Sequence, residues 1–409
     1  MRINWFSPIE PRRTGIAQYS NMIVPWLAQQ AEVAVWTTQP DWDQTLGKAE
    51  VNLYRVEEMP WRDLNRAELT FFHMGNNVEF HLDVWQASRQ YPGIVVLHDA
   101  FYPDFFNGVR ERQRDGRLSG DLRAPEPGAG KYAPLASLLD KATAALVHSP
   151  AEFDGLAQAL PCPVLLTNLP YQAASDAKFA AWKKLRQPGR TRARLVTFGY
   201  LNANRRVESI LEVLAQFRSQ FELHLIGELS DPRPIEAKID ALGLRDSVHV
   251  YGYVEDLDDA LAQADLAINL RNPTMGEASG SQLRIWDHAL PSIVTRIAWY
   301  AHLPEDAVRF VRPEAELEDL AGHLRAFLQD REGFARIGEN GRRVLLANHS
   351  PEEYARDLVS LGDKAAQFQC AAAAQFLGAR VGEDLRKWFD PECHGFTERV
   401  AREIGEIFG

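Results

Sequence analysis

Arg194–Leu214 reads RLVTFGYLNANRRVESILEVL. Leu195–Phe198 is a short, mostly apolar run that stops at Gly199, the pattern of a strand buried on both faces. The loop Tyr200–Asn204 leads to two cations, Arg205 and Arg206, and then to helical spacing over Val207–Phe217. A strand that ends in glycine and passes through a short loop into a helix is one βα unit of a parallel sheet. Ligands of such sheets bind at the carboxyl ends of the strands, here at Gly199. Cations are unfavourable at a helix start unless an anion meets them, and arginine can grip a phosphate with two hydrogen bonds. The competing reading is a solvent-facing basic pair.

The same unit recurs on both sides of this stretch. Further strand candidates are Glu222–Ile226, Val248–Tyr251, Leu266–Leu270, Ser292–Thr295 and Arg309–Val311, separated by amphipathic helices at Val207–Phe217, Ile235–Leu242, Leu257–Ala264 and Leu283–Ala289. Before it stand Arg2–Phe6, Glu32–Thr37, Val51–Tyr54, Leu69–Phe72, Ile94–Leu97, Ala145–His148 and Val164–Leu166. The alternation predicts an α/β protein with two Rossmann-like, doubly wound parallel sheets. Residues 1–170 form the expected first domain and residues 171–192, polar and basic, the linker. Residues 193–364 form the second domain, and the helices of about 365–409 are expected to return to the first.

Asn272–Pro291, NPTMGEASGSQLRIWDHALP, is the second phosphate candidate. Glu277 sits among Gly276, Ala278, Ser279, Gly280 and Ser281 just before an apolar helix pattern. Small residues let backbone N–H groups approach a ligand, and the helix start adds partial positive charge. An ordinary Ser/Gly helix cap has the same appearance. In the first half, Gly15 follows a strand and a loop, but no GxGxxG accompanies it, so a nicotinamide dinucleotide is unsupported. One strand runs into His73, Gly75, Asn76, Asn77 and His81, and GIVVLHD runs into His98 and Asp99. His98 can serve as a hydrogen-bond donor or base toward a sugar, or be a core-edge histidine. Asn76 and Asn77 can equally make a turn.

Composition narrows the function. The 409 residues are 45% apolar and carry a formal charge of −11, which suits two cored domains and argues against nucleic acid as a partner. Cys162, Cys370 and Cys393 are scattered and show no metal spacing. Neither an apolar leader nor a run of apolar residues long enough to span a bilayer is present, so a cytoplasmic protein is expected. Phe101–Arg123 mixes aromatics with Arg110, Arg112, Arg114, Arg117 and Arg123. That composition fits a peripheral contact with anionic lipid at the inner membrane, whereas Glu111, Asp115 and Asp121 favour a solvated helix and loop. Asp256, Asp258 and Asp259 resemble a metal cluster but stand where carboxylates cap a helix, so no metal is expected.

Taken in order, these pieces resemble the GT-B glycosyltransferases of family 4, the retaining group that uses nucleotide sugars. The resemblance rests on SPIEPRRTGIAQYS, the GNN…H and VVLHD strand ends, VHSPAEF, FGYLNANRRVESILEVL, VHVYGYVEDLDDALAQADLAINL and NPTMGEASGSQLRIWDHALPSIV. It implies two domains facing across a cleft, the second binding the donor and the first the acceptor. By resemblance, Gly15 faces the donor phosphates and His98 the donor sugar. Gly199, Arg205 and Arg206 face the diphosphate, with Arg206 nearest to the usual lysine by spacing. Glu277 matches the first glutamate of Glu-x7-Glu, and Ala278–Ser281 supply backbone donors. The second glutamate is missing: Arg284 and Ile285 fall at its position, and Asp287 is a further substitute.

The implied activity is a metal-independent, cofactor-free transfer, with retention, of a hexose-type sugar from a nucleotide-diphosphate donor to a hydroxyl. The acceptor is a glycan, a lipid-linked molecule or a protein. His98, Glu277 and Arg206 are the expected catalytic residues, and Asn76, Asn77, His81 and Asp99 the acceptor-side candidates. The missing glutamate keeps two alternatives open: a non-catalytic sugar-nucleotide-binding or partner subunit, and a sugar-nucleotide epimerase.

Overall fold

In the computed structural model the βα pattern builds two parallel sheets; the structure describes all residues except 43–45, 119–131, 161, 187–189, 255, 371–398, 400–401 and 404–409. The first sheet holds β1 (Arg2–Phe6), β2 (Glu32–Thr37), β3 (Glu50–Leu53), β4 (Leu69–Met74), β5 (Gly93–Leu97), β6 (Ala142–Val147) and β7 (Val164–Leu166). Their spatial order is β3-β2-β1-β4-β5-β6-β7. The second holds β8 (Ala193–Phe198), β9 (Phe221–Ile226), β10 (Val248–Tyr251), β11 (Leu266–Asn269), β12 (Ser292–Thr295) and β13 (Arg309–Val311), ordered β10-β9-β8-β11-β12-β13. Every paired neighbour in both sheets is parallel.

Burial on both faces explains why these strands read as near-continuous apolar runs. In the second sheet Phe221, Leu223 and Leu225 pack with Ile210, Leu211, Leu320 and Leu324 on one face. Ile226, one pleat over, joins Val196, Phe198, Leu261 and Ile285 on the other. Strand order reverses between β1 and β4 and between β8 and β11, so each sheet has a crevice at the carboxyl ends of those strands. Beside the second crevice, Gly227 adopts φ +129, and a Cβ there would lie 2.0 Å from the Gly199 carbonyl oxygen. Only glycine lets the chain turn there.

The chain forms two compact units, one of Leu169–Ser350 and the other of Met1–Asn168 with the described residues from Pro351 onward. The division departs from the sequence reading at two places. The helix Pro351–Ser360 packs in the first unit against the helix Gly15–Leu27, where Tyr19 donates to the Tyr354 hydroxyl at 2.6 Å. The segment read as a linker is built into the second unit: the Ala174 N–H donates to both Asp287 oxygens at 3.0 Å, and Lys178 pairs with Asp258 at 2.8 Å. Of the helices expected over about 365–409, the described residues include 365–370, Arg399, Arg402 and Glu403, and the rest lies outside them. No helix among the described residues is long and apolar enough to cross a membrane.

Candidate functional site

In the second unit the polar ends of β8 and β11 meet the start of the helix Gly280–Asp287. Arg205 closes a short helical turn, Ala203–Arg205, and is only 5% exposed. Its guanidinium donates to Asn269 Oδ1 at 2.7 Å and to Ser281 Oγ at 3.3 Å. Asn269 in turn donates to Gln282 at 3.0 Å, and Gln282 to Ser292 Oγ at 2.8 Å. This buried chain fixes the cation, yet among the described residues no carboxylate pairs with it, and its Nε and the nearby Tyr300 Oη are buried without a protein partner. Burial pushes Arg205 down to about 10, and Arg271 adds to the effect, while Tyr300 and Glu277 oppose it. A buried, incompletely compensated guanidinium is costly until an anion joins it.

Arg206 goes elsewhere. It takes the left-handed conformation, φ 57, and its Nε donates to Glu316 at 2.9 and 3.1 Å. The backbone reversal at this residue sends the two side chains to different partners, so Arg206, expected by spacing to be nearest to the usual lysine, pairs with Glu316 while Arg205 enters the buried network. Gly199, φ +98, lies against the same cation: a Cβ there would approach Arg205 Nη2 to 3.0 Å.

Glu277 lies beside this network, and its carboxylate is oriented by its own turn. Thr274 Oγ1 and the Met275 N–H both donate to it at 2.8 Å, and Arg271 Nε stands 3.3 Å from its other oxygen. Ser279 caps the helix by accepting from Gln282 N at 3.1 Å, so its hydroxyl has the plain capping role. Gly280 opens the helix with free space where a Cβ would be, next to Ser281, and the first-turn N–H groups of a helix have no intrahelical acceptor. Ala278 packs on the core around Trp286 and Trp299.

The substitutes for the second glutamate are both engaged away from this network. Arg284 donates to Asp258 Oδ1 through Nε at 3.0 Å and Nη2 at 2.7 Å. Burial would raise the Asp258 carboxyl, but hydrogen bonds from His288, Lys178 and Arg284 outweigh it and hold the group far below the ordinary carboxylate range. Asp256 is the true cap of the helix Leu257–Ala262. Asp287 is buried, pairs with Arg342, and holds the Ala174 backbone.

The first unit gathers histidines at the ends of β4, β5 and β6. His98 Nε2 lies 3.1 Å from His73 Nδ1, with the rings of Tyr19 and His148 at 4.8 and 5.5 Å. Trp5 covers His73 at 4.0 Å between ring centres. Burial first, then mutual repulsion with His73, His148 and His81, pushes His98 well below its ordinary range, so it is neutral near pH 7. His81 is buried on the helix Val78–Ser88 and shares a hydrogen bond with the His73 carbonyl, which places it in the core. Asn77 caps that helix and Asn76 ties Asp99 to Asp104 and Phe105, so both asparagines are chiefly turn residues. Gly15 begins the helix Gly15–Leu27 with open space at its Cβ position.

Sequence reading missed Asn269, Arg271, Gln282 and His148, and named His73 only as a strand-end residue. Asn269 and Arg271 carried the same signal as His98, a polar residue at the end of an apolar strand. Phe105 and Phe106, in the stretch Phe101–Arg123 that was open to a lipid contact or a solvated helix, are buried edge-on to Trp85. Arg112 pairs with Glu79 and Arg117 with Asp115, while Arg123 lies outside the described residues.

Residues 192–330 match the family model described as Glycosyl transferases group 1. A stretch of 111 residues, 27% of this chain, is 32% identical to the lipopolysaccharide glucosyltransferase WaaG of Escherichia coli (strain K12). That match spans 29% of the relative, less than a third of its length. Among solved structures, HepE of Anabaena in complex with UDP is similar over 88% of this chain and 99% of its own, with TM-score 0.63 and 15% identity. Sucrose-phosphate synthase from Thermosynechococcus elongatus is similar over 89% and 98%, with TM-score 0.65 and 18% identity. At such identities the likeness is one of fold, the two-sheet GT-B architecture.

Proposed function

Taking residues 192–330 as a group 1 glycosyl transferase domain in a chain of the GT-B fold, we propose that the protein transfers a hexose-type sugar, with retention, from a nucleotide-diphosphate donor to an acceptor hydroxyl. The observation that carries the reading is Arg205, a buried cation fixed by Asn269 and Ser281 at the carboxyl ends of β8 and β11, with which no carboxylate pairs among the described residues. A diphosphate would supply the missing charge, and the first-turn N–H groups at Gly280 and Ser281 would add donors to it.

The reaction breaks the bond between the sugar's anomeric carbon and the diphosphate oxygen, and forms one to the acceptor oxygen. Charge grows on the leaving diphosphate, and Arg205 is the fixed donor that stabilises it. The acceptor's proton passes to a diphosphate oxygen on the same face. Glu277, oriented by Thr274 and Met275, accepts hydrogen bonds from sugar hydroxyls. His98, in the first unit, is neutral and held by His73, a polar group suited to a sugar hydroxyl. Arg205 provides the charge that a metal would otherwise supply, so transfer should survive a chelator. The acceptor is a glycan, a lipid-linked molecule or a protein, and the site of action is cytoplasmic or peripheral at the inner membrane.

The test is a panel of UDP-, GDP- and dTDP-sugars, scored by thermal shift and then by slow hydrolysis without acceptor. UDP-sugars come first because HepE was solved with UDP. One donor that both stabilises the protein and is hydrolysed supports a transferase. A donor that binds and is never turned over favours a non-catalytic sugar-nucleotide subunit. Interconversion of the donor without acceptor means an epimerase, and no interaction with any donor overturns the reading.

A further inference from the structure

Away from the crevice of the second sheet, the edge strand β10 and its neighbour β9 bring together a histidine pair and a carboxylate. Glu222 and His224 alternate on β9 and therefore share a face. His249 on β10 is in direct register with His224, so it lies on that face too. His224 Nε2 is 3.2 Å from Glu222 Oε1, and His249 Nε2 is 4.0 Å from Oε2. One ligand atom from each of the three residues lies within 4.8 Å of the others.

We propose that Glu222, His224 and His249 form a binding site for a zinc-class divalent cation that clamps the edge strand β10 to β9. Two imidazoles and one carboxylate are a ligand set suited to zinc, cobalt or nickel. Metal–ligand bonds of about 2.1 Å in a tetrahedron place ligand atoms roughly 3.4 Å apart. The separations of 3.2 Å to Oε1 and 4.0 Å to Oε2 are of that order, and rotation of the partly exposed His249 ring can adjust the second.

Outer contacts are already in place. Arg194, on the neighbouring strand, donates to Glu222 Oε1 at 2.9 Å and also to Gln263 at 3.2 Å, which leaves Oε2 turned toward His249. Tyr251 stacks on His224 with ring centres 5.4 Å apart, fixing the ring's plane. The Arg194 charge moderates affinity, so the site should suit a reversible ion better than a permanent one. Glu222 stands near the amino end of β9, whereas Arg205 gathers at carboxyl ends, so the clamp is separate from the transfer chemistry. Sequence spacing hid it, because only strand register brings His249 opposite His224.

The test uses the full chain without affinity-tag histidines, stripped with a chelator and titrated with Zn²⁺ by calorimetry and with Co²⁺ by visible absorption. The expected result is one equivalent bound, tetrahedral cobalt absorption, and a rise in Tm with zinc. His249→Ala and Glu222→Gln should each weaken binding at least tenfold; His249 sits at an exposed edge, so that variant keeps its fold. Absence of saturable binding overturns the proposal. So does binding of equal strength in both variants, which would point to the histidines around His98 instead. Because the readout is metal affinity, the outcome is independent of whether any sugar nucleotide is turned over.

Discussion

Arg205 and Arg206 are adjacent in the chain but bind opposite partners: Arg205 donates to Asn269 at 2.7 Å inside a buried network, and Arg206 to Glu316 at 2.9 Å. Replacing Arg205 with Ala should lower donor turnover by about 10²-fold or more, the scale of losing one fixed charge-stabilising donor. Arg206→Gly should keep turnover within a few-fold. Its left-handed backbone costs an L-residue about 1–2 kcal/mol, which glycine would relieve and which offsets the lost Glu316 pair. Steady-state kinetics and denaturant midpoints on both variants check this; equal losses of turnover would return Arg206 to the site.

Glu277 is held by Thr274, Met275 and Arg271, so it is a preoriented acceptor rather than a loose surface carboxylate. Glu277→Gln should depress turnover with every donor while leaving the nucleoside diphosphate's own thermal shift intact, because the carboxylate addresses the sugar. Wild-type turnover in the variant would remove Glu277 from the sugar site. Loss of nucleotide binding would instead place it on the diphosphate.

The buried histidines make the first unit acid-sensitive. Burial is the largest cause lowering His73, His98 and His81, the last to about 4 despite the hydrogen bond it shares with the His73 carbonyl. The unfolded chain, with histidines near 6.5, then binds more protons than the folded one as acid is added. Stability is therefore complete above about pH 6.5 and is lost as pH falls, at roughly 1.4 kcal/mol per pH unit for each such histidine. For His81 the loss runs down to about 4. Urea unfolding between about pH 7 and 5 should show this slope, reduced by one proton in His81→Gln. A flat profile would contradict the burial account.

Most of the sheet architecture was legible because parallel strands buried on both faces leave short apolar runs that stop at Gly199, Gly227 and His98. The site was legible as a neighbourhood and not as an assignment. Whether Arg205 or Arg206 enters the network depends on one positive φ, which no spacing reveals. Arg284 looked available for a nucleotide until the fold brought Asp258 to it from a distant helix. Phe105 and Phe106 read as surface aromatics because the helix bearing them also carries arginines, and only Trp85 shows which face is core.

Asp287 separates a structural role from a binding one most sharply. Its position near the missing glutamate makes it a substitute on paper, but its carboxylate pairs with Arg342 and holds the Ala174 N–H, with both charged side chains almost fully buried. Removing one member of such a pair leaves the other charge unpaired in a poor solvent, a loss of about 3–5 kcal/mol. Asp287→Ala should therefore unfold at markedly lower denaturant, and Asp287→Asn, which keeps the shape but not the charge, should lie between it and wild type. If the role is structural, donor-induced stabilisation measured below each variant's own Tm should match wild type in both. If Asp287 holds the nucleotide, donor stabilisation disappears even where the variant is folded, and the second glutamate's place is taken by this residue after all.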